Sequence, residues 1–485
     1  MLSLWAGFWV LQACAPEPET AQPPVEPTVD AVALARRTSL ALTGAPPSVE
    51  ALAGIRSGDP LADWIEVWLA SESFADTTVE LHLRDLGLPD DLQPPLPSVG
   101  PLEGSPSGTL LASLQQSPGE RIRHIVTEDL AWSTLLEGDT VWVDAVLAEV
   151  YALEHAAGGQ VWQRARWPDG RPHGGLLGDS ALHQALGGSS VHRAAVLARF
   201  LVCDSLEGEH DGSETACARC HATLDPLASL LEPLQPPTPA DIAEAHASGC
   251  PTVAPCYPLG QLGEPVEGLW YGEEARDLAE LAQAARADPR LGRCVAQRTW
   301  HDLVGRAPTD AELREVTAAL EDSGVSLRAL AREIVTQPAF ATEPPMTLER
   351  PRVARALEAL TGFRWEVSGG DDWGRADAAT SRQWGAGDVT EGPSAAWFGA
   401  RAAEQAAGYA VDQALADASS SVLFPDGLPT EPTDAALGHL HQVILSEEAE
   451  LAPARALWSA VEAEAGSEEA WRAVVAALLQ ELTER

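Results

Sequence analysis

The chain has 485 residues and a formal charge of −41, with 31 basic residues that are all Arg and no Lys or Asn. Its length allows several domains, each with its own core. The acidic balance excludes a nucleic-acid binder, which needs clustered positive charge, and it excludes direct adsorption on anionic lipid.

The first segment is short and apolar, with Leu2, Leu4, Trp5, Phe8, Trp9, Val10 and Leu11. It is too short to span a bilayer and fits the apolar region of a signal peptide, although no Arg or Lys precedes it. It ends in Leu11-Gln12-Ala13-Cys14, which resembles the lipobox of bacterial lipoproteins, so residues 1–14 are read as a signal ending at a lipidated Cys14. Residues 15–30, rich in Pro and Glu, read as an unfolded tether. No other run approaches 18 apolar residues, so the expected membrane attachment is the lipid alone.

From residue 31 onward the texture is Ala, Leu, Glu and Arg, with apolar residues at spacings of three and four. This predicts amphipathic helices over 31–43, 59–71, 120–128, 141–153, 190–202, 275–286, 290–304, 309–320, 326–336, 350–361, 396–416, 433–444, 452–464 and 467–482. Stops are marked by Gly44 with Pro46-Pro47, by Gly305 and by Pro338. Strand-like alternation is sparse; Phe363 to Val367 is one short candidate. The expected class is all-α, multi-domain and helical, with few or no strands. Breaks rich in Pro and Gly at 87–108, 233–239 and 342–351 suggest units over 31–165, 166–240, 241–345 and 346–485, the second of them small. Arg37 to Gly44 and Arg355 to Gly362 echo each other through a shared Leu-Thr-Gly ending, which either duplication or convergent helix caps would produce.

The chemistry is concentrated at Cys217-Ala-Arg-Cys220-His221. Two thiols one helical turn apart can each bond a haem vinyl group, and the adjacent imidazole can ligate the iron. With 7 Cys and 12 His in the chain, composition alone produces the pattern about 0.0025 times. A zinc site would need a second Cys/His pair, and a redox dithiol would sit beside a βαβ pattern; the sequence has neither. One covalent haem c is therefore expected, held by Cys217 and Cys220 with His221 as proximal ligand. Asp225-Pro226 would end one helix and start another, and Leu224, Leu227, Leu230 and Leu231 would pack on the porphyrin or form ordinary core.

For the sixth iron ligand, His210 ranks first and Met346 second, with His192, His183 and His173 further away and an open position as another solution. Methionine would raise the potential and a second histidine would lower it. Four cysteines remain, an even number that suits two disulfides in an oxidising compartment. The favoured pairs are Cys250–Cys256 and Cys203–Cys294, against four buried free thiols. There is no Gly-rich phosphate loop, no Gly-x-Ser-x-Gly and no His-Glu-x-x-His. No catalytic residue is assigned.

Arg36 to Glu50, Gly174-Gly-Leu-Leu-Gly-Asp179, Ser189-Ser-Val-His-Arg-Ala194, Leu201-Val-Cys203, Cys217 to Leu227, Leu231-Glu232 and the stretch from Gly263 to Phe340 share a pattern. Together they resemble the domains of planctomycete-type cytochromes c, over residues 30–340. In that family a Gly-Leu-Leu/Thr segment and a Ser-x-x-x-Arg helix precede Cys-x-x-Cys-His-x-x-Ile/Leu-Asp-Pro-Leu. Ala228-Ser229 departs from the Gly-Phe that usually follows. The resemblance implies an exported, multidomain, haem-binding protein and supplies no reaction. The leading expectation is a mono-haem electron-transfer lipoprotein, anchored at the outer membrane of a Gram-negative envelope and served by a redox partner protein; the acidic surface either attracts a basic partner at low salt or serves solubility alone. The alternatives are an envelope scaffold with a structural haem, and a haem enzyme or gas sensor with an open iron position.

Overall fold

The structure is a computed structural model that describes residues 30–88, 102–105, 108–156, 161–167, 174–204, 214–234, 239–247, 266–321, 325–342, 350–363, 393–446 and 450–484. The fold is all-α, with strands confined to two small antiparallel pairs. In chain order the helices are α1 (Ala31–Thr43), α2 (Val49–Ser57), α3 (Leu61–Leu69), α4 (Glu72–Asp85), α5 (Thr109–Thr127), α6 (Ala145–Tyr151), α7 (Ser180–Leu186), α8 (Ser190–Val202), α9 (Glu214–Leu231) and α10 (Pro239–Ala247). They continue with α11 (Leu278–Ala287), α12 (Arg290–Val304), α13 (Asp310–Glu321), α14 (Leu327–Thr336), α15 (Pro338–Thr342), α16 (Arg350–Thr361), α17 (Pro393–Ala416), α18 (Asp434–Leu445), α19 (Ala452–Ala465) and α20 (Ser467–Glu484).

Local chemistry sets many of the ends. Asp30, Ser48, Ser71, Ser189, Asp277, Ser326 and Thr433 each cap a helix by accepting a backbone amide in its first turn. Gly44 and Gly305 close α1 and α12 in the left-handed conformation, at φ 70° and 87°.

Three expectations are corrected. The helix expected over 141–153 starts later, because Thr140–Val143 forms strand β1, paired with β2 (Gln163–Arg166) in the register Thr140↔Arg166. Thr-Val-Trp-Val is β-branched and aromatic with every second residue buried, and Asp144 then caps α6 through Leu147 N. The helix expected over 120–128 is only the end of α5, which runs through Pro118-Gly119. Gly119 explains the tolerance: a Cβ there would lie 3.0 Å from Val79 and Leu83, so α4 and α5 cross closely. Asp225-Pro226 does not divide two helices, because α9 is continuous and holds Pro226 in its interior. Of the Phe363–Val367 candidate strand, all but Phe363 lies outside the described residues.

Two apolar clusters form the interior. The first extends from Ala35 to Phe340 and crosses positions 165 and 240, so helices on both sides of those expected unit boundaries share one core. The second runs from Ala356 to Leu482 and recruits Leu40 of α1. In the first cluster, α9 packs against α8 and against the hairpin of β3 (Gly268–Trp270) and β4 (Glu273–Ala275).

Candidate functional site

The Cys-x-x-Cys-His sequence lies in the first half of α9, so positions 217, 220 and 221 fall within one turn of helix. The side chains of Cys217 and Cys220 lie outside the described residues. The second half of α9 is embedded: Leu224, Leu227, Ala228, Leu230 and Leu231 are buried in the first core. The four leucines that could have faced a porphyrin are taken up by protein packing, and His221 and Ala222 before them are exposed.

Two neighbours anchor that helix. Gly268 of β3 presses on it so closely that a Cβ would come within 2.1 Å of the Pro226 carbonyl oxygen. Arg193 of α8 is fully buried and donates to the Leu231 carbonyl at 3.1 Å, satisfying the C-terminal end of α9. Burial holds the Arg193 guanidinium down at about 10. Ser189 caps α8 four residues before Arg193, which gives a structural role to both ends of the Ser-x-x-x-Arg pattern.

His221 is 65 % exposed, and its Nδ1 faces the Asp225 carboxylate at 3.0 Å and 3.2 Å. A carboxylate only accepts, so Nδ1 is the donor, and in the neutral ring Nε2 keeps the lone pair. Among the described residues Nε2 has no hydrogen-bond partner. An imidazole whose Nδ1 is tied and whose Nε2 lone pair is open, in the same helical turn as two cysteines, is a donor set that fits covalent haem. The sequence reading missed this use of Asp225. The available signal was the four-residue spacing from His221, which puts the two on one helix face.

His183 has a different role from the one considered for it. It is 1 % exposed, with Nε2 2.9 Å from the Leu177 carbonyl oxygen, and burial, aided by the Arg193 charge, pushes it down to about 3. It is a core residue, with Nε2 partnered and Nδ1 buried without a hydrogen bond among the described residues. His192 is exposed on α8. His173, His210, Met346, Cys14, Cys250 and Cys256 lie outside the described residues. Cys203 and Cys294 are joined by a disulfide, with an S–S distance of 2.14 Å, tying the end of α8 to α12. Among the described residues, no group of three or more His, Cys, Asp or Glu is placed to hold a metal ion, and no helix is long and apolar enough to cross a membrane.

A buried ionic cluster sits apart from the motif, where α4, α8 and α12 meet. Arg84 reaches Asp302 at 2.8 Å, Arg298 lies 3.6 Å from Asp85, and the Arg298 guanidinium stacks 4.3 Å over the Phe200 ring. Burial, reinforced by Asp302, raises Asp85 to about 6. No sequence signal marked this group, because its members come from segments far apart in the chain. Comparison with family models, with curated proteins and with solved structures finds no match to this chain.

Proposed function

We propose that the chain is a mono-haem c-type cytochrome of the bacterial cell envelope, lipid-anchored through Cys14, which passes single electrons to or from a basic partner protein. The observation that carries this reading is the His221–Asp225 arrangement within the Cys-x-x-Cys-His turn, because it leaves the nitrogen that would meet iron open. Cys217 and Cys220 would hold the haem and His221 would ligate it. The bound haem would supply the one-electron chemistry. The exposure of His221 and of neighbouring Ala222 and Asp225 suits a carrier whose site must be approached by another protein.

The family resemblance, the lipobox and the disulfide-forming cysteines support export in the same direction. His210 and Met346 stay the proposed sixth ligands. The test is expression of the full chain with a cytochrome c maturation system. A Soret band and a mass gain of one covalent haem are expected. A colourless product with both motif thiols alkylatable overturns the reading. A Cys217→Ala/Cys220→Ala variant that keeps its role in cells assigns that role to the helical body.

A further inference from the structure

We infer that Asp225 is a positioning residue for His221: it fixes the imidazole in its Nδ1–H form, aims Nε2 at the haem iron and biases that iron towards the ferric state. The inference rests on the haem reading above and assigns a role to a residue that reading does not require.

The geometry supplies the first argument. Asp225 follows His221 by one helical turn, and both of its oxygens lie within 3.2 Å of Nδ1. An imidazole that donates from Nδ1 to an anion presents a more basic Nε2, and a more basic ligand stabilises the more highly charged iron.

The second argument is the rigidity of the platform. An exposed His–Asp pair on an ordinary helix would rest on a backbone that contributes little to its orientation. Here the flanking Leu224 and Leu227 are 3 % and 2 % exposed in the core. The Asp225 carbonyl accepts from Ser229 Oγ at 3.0 Å, and Gly268 bears on the next peptide at Pro226. The Asp225 backbone is thus fixed from three sides while its carboxylate reaches back to the motif. Pro226, having no amide hydrogen, also leaves the carbonyl of Ala222 without its usual helical donor, right beside His221.

Two measurements test the role. In the haem-free Cys217→Ala/Cys220→Ala chain, ring-¹⁵N histidine spectra, assigned with His221→Gln, report the tautomer. His221 should be Nδ1–H and should move to Nε2–H in Asp225→Ala. In the haem-loaded full chain, Asp225→Asn keeps an acceptor but removes the charge. At a fixed ambient potential its ferrous-to-ferric ratio should rise at least tenfold, equivalent to about 59 mV for one electron. Haem attachment with an unchanged tautomer and a ratio within twofold of the parent overturns the role of Asp225 and leaves the haem reading intact. A chain that never takes haem overturns the haem reading, and the iron-directed role with it, whatever the tautomer.

Discussion

His183 and His221 lie 38 positions apart and meet opposite environments. The first is 1 % exposed and held neutral, whereas the second is 65 % exposed and paired with a carboxylate. His82 resembles His183: it is fully buried, its Nδ1 lies 2.8 Å from the Thr78 carbonyl oxygen, and burial with the Arg298 charge pushes it down to about 4. A buried neutral histidine binds its proton more weakly in the folded chain than in the unfolded one. Acidification from 6.5 towards 4 therefore draws protons to the unfolded state, and stability falls. Each of these two histidines should cost on the order of 2 kcal/mol at pH 5. Asp85 acts the other way, because between about 3.8 and 6 the folded chain holds its extra proton and gains stability on acidification. Urea denaturation at pH 7 and pH 5 should show a smaller acid loss in His82→Gln/His183→Gln than in the parent, once each is referred to its own pH 7 value. An equal loss would show that other groups set the acid limb. At this scale the sequence made His221 legible through its spacing from two cysteines. It hid Asp225, because the proline that follows it suggested a helix break and drew the reading away from the histidine before it.

Helix α9 shows what the sequence pattern can and cannot carry. Helices with a clean apolar stripe, such as α1, α8, α12 and α14, are legible to within a residue or two at their ends. Helix α4 is not, because Asp76-Thr-Thr-Val79 puts polar and β-branched residues where a helix former would stand. In α9 the interior proline has the same effect. Tertiary packing overrides both: α4 is clamped to α5 at Gly119, and α9 is wedged between α8 and the β3–β4 hairpin. That hairpin turns through Tyr271-Gly272, at φ 49° and 96°, the left-handed pair that a two-residue turn needs. Its partner-facing Gly268 has no room for a methyl group. Gly268→Ala should force α9 and β3 apart at a cost of about 1–3 kcal/mol. It should lower the denaturation midpoint and the yield of haem-loaded protein together. A midpoint equal to that of the parent would mean that the close approach relaxes freely.

The whole molecule carries far more acid than base, and its arginines are used at the seams. Arg355 of α16 donates to Glu80 of α4 at 2.6 Å and lies 3.6 Å from Asp76, joining the second core to the first. The same arginine fills the space beside Gly44, where a Cβ would meet its Cδ at 2.9 Å, so the end of α1 packs against the Arg355 end of the segment that echoes it in the sequence. Both close with a left-handed glycine, at φ 70° and 75°. Residual repulsion from a net charge of −41 should still oppose folding at low salt. The denaturation midpoint should rise between about 0.01 and 0.15 M salt, as the screening length falls from about 30 to 8 Å. A falling midpoint would show that the ion pairs at the seams outweigh the repulsion. The unit boundaries expected at 165 and 240 interrupt the chain without interrupting its packing, because helices on both sides of them contribute to the first core. The Cys203–Cys294 cross-link adds a constraint on biosynthesis. Under the proposed haem reading, the motif thiols would have to be kept reduced until haem arrives, while this bond would have to survive. Cys294 is 1 % exposed and Cys203 is half-buried, so a reductase working on α9 would meet a shielded target at the C-terminal end of α8. Folding before haem loading would thus make reduction selective, and it sets the order in which the two kinds of cysteine are committed.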